Sequence, residues 1–127
     1  MQTLKKFEVE AKLLEKIERK YKEDEDFGVF NKLYRSFKYG EFYSIPLNKL
    51  EDNFYIQLFK FISEATFGVK FKQIARTFGK SELRAKLNLL IRNFGIVEYE
   101  ERKYKVNEEG KRFEKFLEEH KNFAAKS

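Results

Sequence analysis

The sequence predicts a mainly α-helical protein with one small β-hairpin, and three observations carry that expectation. Apolar and aromatic residues recur at alternating spacings of three and four through most of the 127 positions, the pattern of helices that bury one stripe. Near residue 100 the pattern changes to strict alternation of apolar and charged residues, as in half-buried strands. Fifteen Phe and seven Tyr supply enough apolar area for a packed core despite 38% charged residues, which excludes a disordered polyampholyte. A chain of this length suits one globular unit with helical extensions.

Residues 3 to 22 place Leu4, Phe7, Ala11, Leu14, Ile17 and Tyr21 on one stripe of a helix about 20 residues long. Acid-then-base pairs four apart, Glu8 with Lys12 and Glu15 with Arg19, support it by about 0.3–0.5 kcal/mol each. The heptad-like spacing suits pairing with the same stripe of a second subunit. Residues 1–47 are therefore assigned as an N-terminal helical extension with a candidate dimerisation surface. The acidic run Glu23-Asp24-Glu25-Asp26 ends that helix or caps the next. Phe27, Phe30, Tyr34 and Phe37 mark a second, aromatic-faced helix stopped by Gly40, and these rings are read as packing because they follow helical spacing. Pro46 keeps Ile45 out of helical dihedrals, so 41–47 is a connector or short strand. Asn48 is placed to cap a helix to about Ala65, with the stripe Leu50, Phe54, Leu58, Phe61 and Ile62.

From Thr66 to Lys70 the chain is short and β-prone. Phe71, Ile74, Ala75 and Phe78 mark a two-turn helix, Gly79 breaks it, and Ser81 is placed to cap the next. This is a helix-turn-helix pattern. In its second helix Leu83, Leu87, Leu90, Ile91 and Phe94 fall within about 100° on a helical wheel, which fixes the buried side. The outward side then carries Ser81, Ala85, Asn88, Leu89 and Arg92, flanked by Arg84 and Lys86, with Leu89 either a methyl contact to a base or a contact to another part of the protein. Ile96 to Glu100 and Lys103 to Val106 form a hairpin around Glu101-Arg102. Asn107 caps a last helix, with two acids at its positive end and the stripe Phe113, Phe116, Leu117, His120 and Phe123.

Charge is concentrated in this region. Between Gly68 and Phe94 stand Lys70, Lys72, Arg76, Lys80, Arg84, Lys86 and Arg92 against a single acid, Glu82. That stretch alone carries the formal +6 of the whole protein, and focused positive charge is the footprint of a polyanion site. Alanine can approach a thymine methyl, asparagine can pair with adenine, and arginine can read guanine or phosphate.

The strings Phe71-Lys72-Gln73-Ile74-Ala75-Arg76, Leu87 to Ile91, Phe94-Gly95-Ile96-Val97 and Tyr104 to Lys111, in that order, resemble the successive elements of winged helix-turn-helix proteins, such as regulators of the MarR and PadR groups and a similar archaeal group. The resemblance covers about residues 50 to 117. It implies a winged helix-turn-helix over 48–110 and a C-terminal helix and tail over 111–127, while residues 1–47 lie outside it and are read from their pattern alone. It further implies a homodimer on double-stranded DNA with the second helix, about 81–94, in the major groove. Lys70, Lys72, Gln73, Arg76, Lys80, Ser81, Arg84, Ala85, Lys86, Asn88 and Arg92 are then the candidate DNA contacts, joined by Arg102 and Lys103 at the wing tip. Glu98, Glu100 and Glu101 depart from a phosphate-binding wing.

Other classes are disfavoured. No cysteine and one histidine, His120, argue against a thiolate metal site, and no cofactor is expected. The chain has no glycine loop that cradles phosphate and no nucleophile beside a histidine, so enzymatic activity is not expected. No apolar run approaches the roughly 18 residues of a membrane span, and the first residues lack an apolar signal region, so a soluble cytoplasmic protein is expected. Richness in Lys and Glu resembles a thermophile-like composition. The alternative function is a winged-helix protein-interaction module in a transcription, replication or membrane-remodelling assembly, favoured by an exposed Leu89, the acidic wing and the aromatic N-terminal region and disfavoured by the concentrated charge.

Overall fold

The computed structural model describes Lys16 and residues 19–126, with side chains to His120. The expectations for Leu4, Phe7, Ala11, Leu14, Ile17 and Phe123 lie outside the described residues and side chains. Among the described residues the protein is mainly helical with one two-stranded antiparallel sheet, and no helix is long and apolar enough to cross a membrane.

Helix α1 spans Glu25–Tyr39. The acidic run supplies its cap: the Asp24 carboxylate accepts a hydrogen bond from the Phe27 amide at 3.1 Å, and Glu25 and Asp26 occupy the first turn, where the helix dipole favours anions. Gly40, in the left-handed region at φ 69°, closes it. The connector that follows forms no strand. It is tied back to α1 by Arg35, which donates to both Glu41 carboxylate oxygens at 2.8 and 3.0 Å, while the Tyr43 hydroxyl donates to the same carboxylate from within the connector. Arg35 foremost, then Tyr43, hold the Glu41 carboxyl down to about 2.

One long helix from Asn48 to Ala65 does not form. The chain makes α2, Leu47–Glu51, and then α3, Phe54–Glu64. Asn48 sits inside α2 and caps nothing. The cap is the buried Asn53, whose side-chain oxygen accepts from the Tyr55 and Ile56 amides at 2.9 and 3.2 Å. Its amide group donates to the Asp26 carbonyl at 2.8 Å, and the Asp26 carboxylate accepts from the Phe54 amide. The starts of α1 and α3 are thereby clasped together, and the helix breaks because these tertiary bonds satisfy Asn53 better than an unbroken helix would.

Helix α4, Phe71–Phe78, ends at Gly79, with φ 82°. Helix α5 covers Leu83–Asn88 and runs on as one wide turn over Leu89–Asn93. Strands β1, Val97–Glu100, and β2, Lys103–Val106, pair in the register Val97 to Val106 and Tyr99 to Tyr104. The β-prone segment before α4 adds one residue to this sheet, Val69, which exchanges two backbone hydrogen bonds with Tyr104. Helix α6, Glu108–Lys126, is capped by Asn107, which accepts from the Gly110 amide and donates to the Gly95 carbonyl, both at 2.8 Å.

These elements share one core. At its centre Phe30 of α1 meets Tyr55, Phe94 and Phe113 with ring centroids 5.7, 4.9 and 5.5 Å apart. Such tilted and edge-on pairs contribute about 0.5–1.5 kcal/mol each beyond their buried area. The expectation that Phe27 to Phe37 pack is met by Phe27 and Phe30, which are fully enclosed. Tyr21, the end of the expected dimer stripe, lies in the turn after the last helical residue Lys20, with its ring 5.2 Å from Phe27.

The start of α6 passes so close to the strand entry that a Cβ on Gly110 would stand 2.1 Å from the Ile96 carbonyl oxygen. Gly110→Ala is expected to destabilise the fold by about 2–3 kcal/mol, since backbone has to move. Urea unfolding followed by circular dichroism measures this, and an unchanged midpoint would show that the approach is not tight.

Candidate nucleic-acid interface

Helices α4 and α5 each bury one side. Ile74 and Ala75 of α4 and Leu83, Leu87 and Leu90 of α5 are buried, which turns Lys72, Gln73, Arg76, Arg84, Ala85, Asn88 and Arg92 outward and exposed. Lys70, Lys80 and Ser81, in the segments flanking the two helices, are exposed as well. Among the described residues none of the seven cations is ion-paired. Their charge is therefore uncompensated at close range, and it is strongest just outside α4 and α5.

Two of these cations rest on aromatic rings. The Arg84 guanidinium lies 4.2 Å from the centre of the Phe71 ring. The Lys86 ammonium lies 4.2 Å from that of Phe54 and 5.9 Å from that of Tyr55. Such contacts are worth about 0.5–1 kcal/mol at exposed sites and restrict a side chain that otherwise samples many rotamers. Lys86 is half-buried as a result, so it lends charge to the surface more than a reaching side chain. The sequence pattern assigns Phe71 and Phe54 to the core alone. Nothing in helical spacing distinguishes a half-buried ring that also carries a cation on its outer edge.

Two site expectations need correction. Ser81 makes no cap; it lies in the turn, and Glu82 occupies the position before α5 with φ 55° and no side-chain hydrogen bond to the helix. Glu82 is thus a non-glycine residue in the left-handed region, a local cost that the tight turn after Gly79 imposes. Leu89 does not stand on the outward side, being only 7% exposed. The Phe94 amide bonds to the Leu89 carbonyl, five residues back, at 2.9 Å. A turn of that width misplaces side chains drawn at 100° per residue, and it packs against β1. Gln73 is exposed as expected, yet its side-chain carbonyl is already committed to the Lys70 amide at 3.0 Å, capping α4.

The hairpin is electrically neutral, with Glu98, Glu100 and Glu101 against Arg102, Lys103 and Lys105. Register places Glu98 opposite Lys105 and Glu100 opposite Lys103, so each acid faces a base across the strands. The acids that would repel phosphate are offset, and so are the bases that would attract it. Arg102 and Lys103 therefore add little to the field around α5. An apolar groove of about 220 Å³ lies elsewhere, between α2, α3 and α6, with Leu50, Phe59 and Leu117 in its lining and Glu64, Glu114 and Glu118 on its rim. Burial first, then the neighbouring Glu118 and Glu64, push the Glu114 carboxyl up, a setting unsuited to a polyanion.

Comparison with known proteins gave no matching family model, no similar curated protein and no similar solved structure. The chain's own geometry carries the functional reading.

Burial of Leu89 has a measurable consequence. Leu89→Ala is expected to cost about 2–3 kcal/mol, whereas Ala85→Ser on the outward side stays within about 0.5 kcal/mol. Chemical denaturation of the two variants separates a buried from an exposed Leu89.

Proposed function

We propose that the protein is a winged helix-turn-helix that binds double-stranded DNA as a transcriptional regulator, with α5 in the major groove. The order α3, Val69, α4, α5, β1, β2 supports that architecture. One observation carries the function: the outward side of α4 and α5 keeps its cations free of carboxylates among the described residues while presenting Ala85, Asn88 and Arg92 to solvent. Affinity comes from counterions released as lysine and arginine approach phosphates, and discrimination from the small and hydrogen-bonding side chains of α5. Lys70, Lys72, Arg76 and Lys80 serve the backbone, and Arg84 and Arg92 reach the groove edge. A homodimer matches two half-sites about 34 Å apart, with roughly 6–8 phosphate contacts and a salt slope of about −5 to −7.

The protein-interaction reading loses one support with the burial of Leu89 and another with the neutral hairpin. It keeps one observation, the isolated exposed rings of Phe42 and Phe67, the latter 86% exposed.

Fluorescence anisotropy with labelled duplexes over a salt series tests the proposal. Affinity is expected to fall steeply with salt, and Arg84→Ala with Arg92→Ala to flatten the slope by about one unit for each phosphate left unneutralised. Undetectable duplex binding at low salt, or an unchanged slope in the double variant, rejects it. Glu82→Gln is expected to tighten binding several-fold, because it removes the one acid of the basic segment; a protein-interaction module has no reason to respond this way in a DNA assay.

A further inference from the structure

The hairpin presents two unlike faces. Glu98, Glu100, Lys103 and Lys105 occupy one, in opposed pairs. Val97, Val106, Tyr99 and Tyr104 occupy the other, because successive residues of a strand point to opposite sides. Three members of this second face are buried against the body: Val97, Val106 and Tyr104 are 1%, 6% and 5% exposed. Tyr99 is the exception, 53% exposed, with its ring centre 4.6 Å from that of Tyr104.

Tyr104 also connects the hairpin to the segment before α4, exchanging two backbone hydrogen bonds with Val69. Burial raises its phenol above the usual range, and the Arg84 guanidinium is close enough to act in the opposite direction, while Tyr99 adds to the rise. Arg84 belongs to the first turn of α5 and rests on Phe71. The face of the hairpin that carries Tyr104 and Tyr99 is thereby set beside the start of the two helices, with Arg84 near enough to act on the Tyr104 phenol. The paired Lys103 and Lys105 are on the opposite face of the hairpin.

We infer that the hairpin meets the duplex through the phenol of Tyr99, which donates a hydrogen bond to a backbone phosphate beside the groove that α5 enters, and not through Arg102 and Lys103. The inference rests on the DNA-binding reading above. A phenol suits the position: its O–H donates to a phosphate oxygen, its ring is already held against Tyr104, and the flanking Glu98 and Glu100 leave no net cation there to do the same work. The unpaired cations of α4 and α5 bring the phosphates to it.

The contact has a distinctive signature, because a neutral donor releases no counterion. Tyr99→Phe is expected to weaken duplex binding about three- to tenfold while leaving the salt slope where it was. Arg102→Ala with Lys103→Ala is expected to change neither. Tyr99 is half exposed, so the phenylalanine variant should keep the parent's thermal midpoint, which circular dichroism checks. If the parent binds with a steep slope and Tyr99→Phe matches it in affinity, this inference is overturned alone. It is also overturned if the Arg102 and Lys103 double variant flattens the slope by about two units, since the hairpin would then bind by charge. A parent that binds no duplex at any salt overturns the functional reading and this inference with it.

Discussion

The position of Phe94 decides how the rest of the molecule faces the world. It ends the wide turn of α5, and its ring lies 4.9, 5.0 and 5.9 Å from Phe30, Tyr34 and Phe27 of α1. An aromatic ring of this size buried among three others is costly to displace. With Phe94 anchored, Leu83, Leu87 and Leu90 must follow it inward. The charged side of α5 has nowhere to go but out. Helix α1 therefore acts as the floor on which the candidate interface is set, although more than 40 residues separate it from α5 in sequence.

The same placement explains how so much unpaired charge is tolerated. Six of the seven cations between Gly68 and Phe94 are exposed, where water and salt screen their mutual repulsion. The seventh, Lys86, spreads its aliphatic stem over the surface and sets its ammonium against Phe54. Acids are gathered elsewhere, on the groove rim at Glu64, Glu114 and Glu118 and at the start of α1. A chain that balances charge almost everywhere except along two helices keeps that imbalance at some cost in stability.

Much of this was legible in the residues. Phe71, Ile74, Ala75 and Phe78 with Gly79 after them define α4 to the residue, because a short amphipathic stripe ended by glycine has few other solutions. Asp24, Gly40 and Asn107 act as the spacing suggests. The misses share a cause. Leu50, Phe54 and Leu58 continue one stripe straight through Asn53, and the break there depends on the Asp26 carbonyl, 27 residues away. Leu89 obeys a wheel until the helix widens. Ser81 has the right chemistry for a cap, but the turn after Gly79 puts Glu82 in that place.

The Asn53 clasp reaches beyond the helix it starts. One buried amide and one carboxylate join the beginnings of α1 and α3, and the Tyr55 hydroxyl adds a third bond to Asp24 at 3.0 Å. Neither helix can fray from its N-terminus without stripping partners from the other. Their amides should exchange with solvent as a single cooperative unit, slow and together.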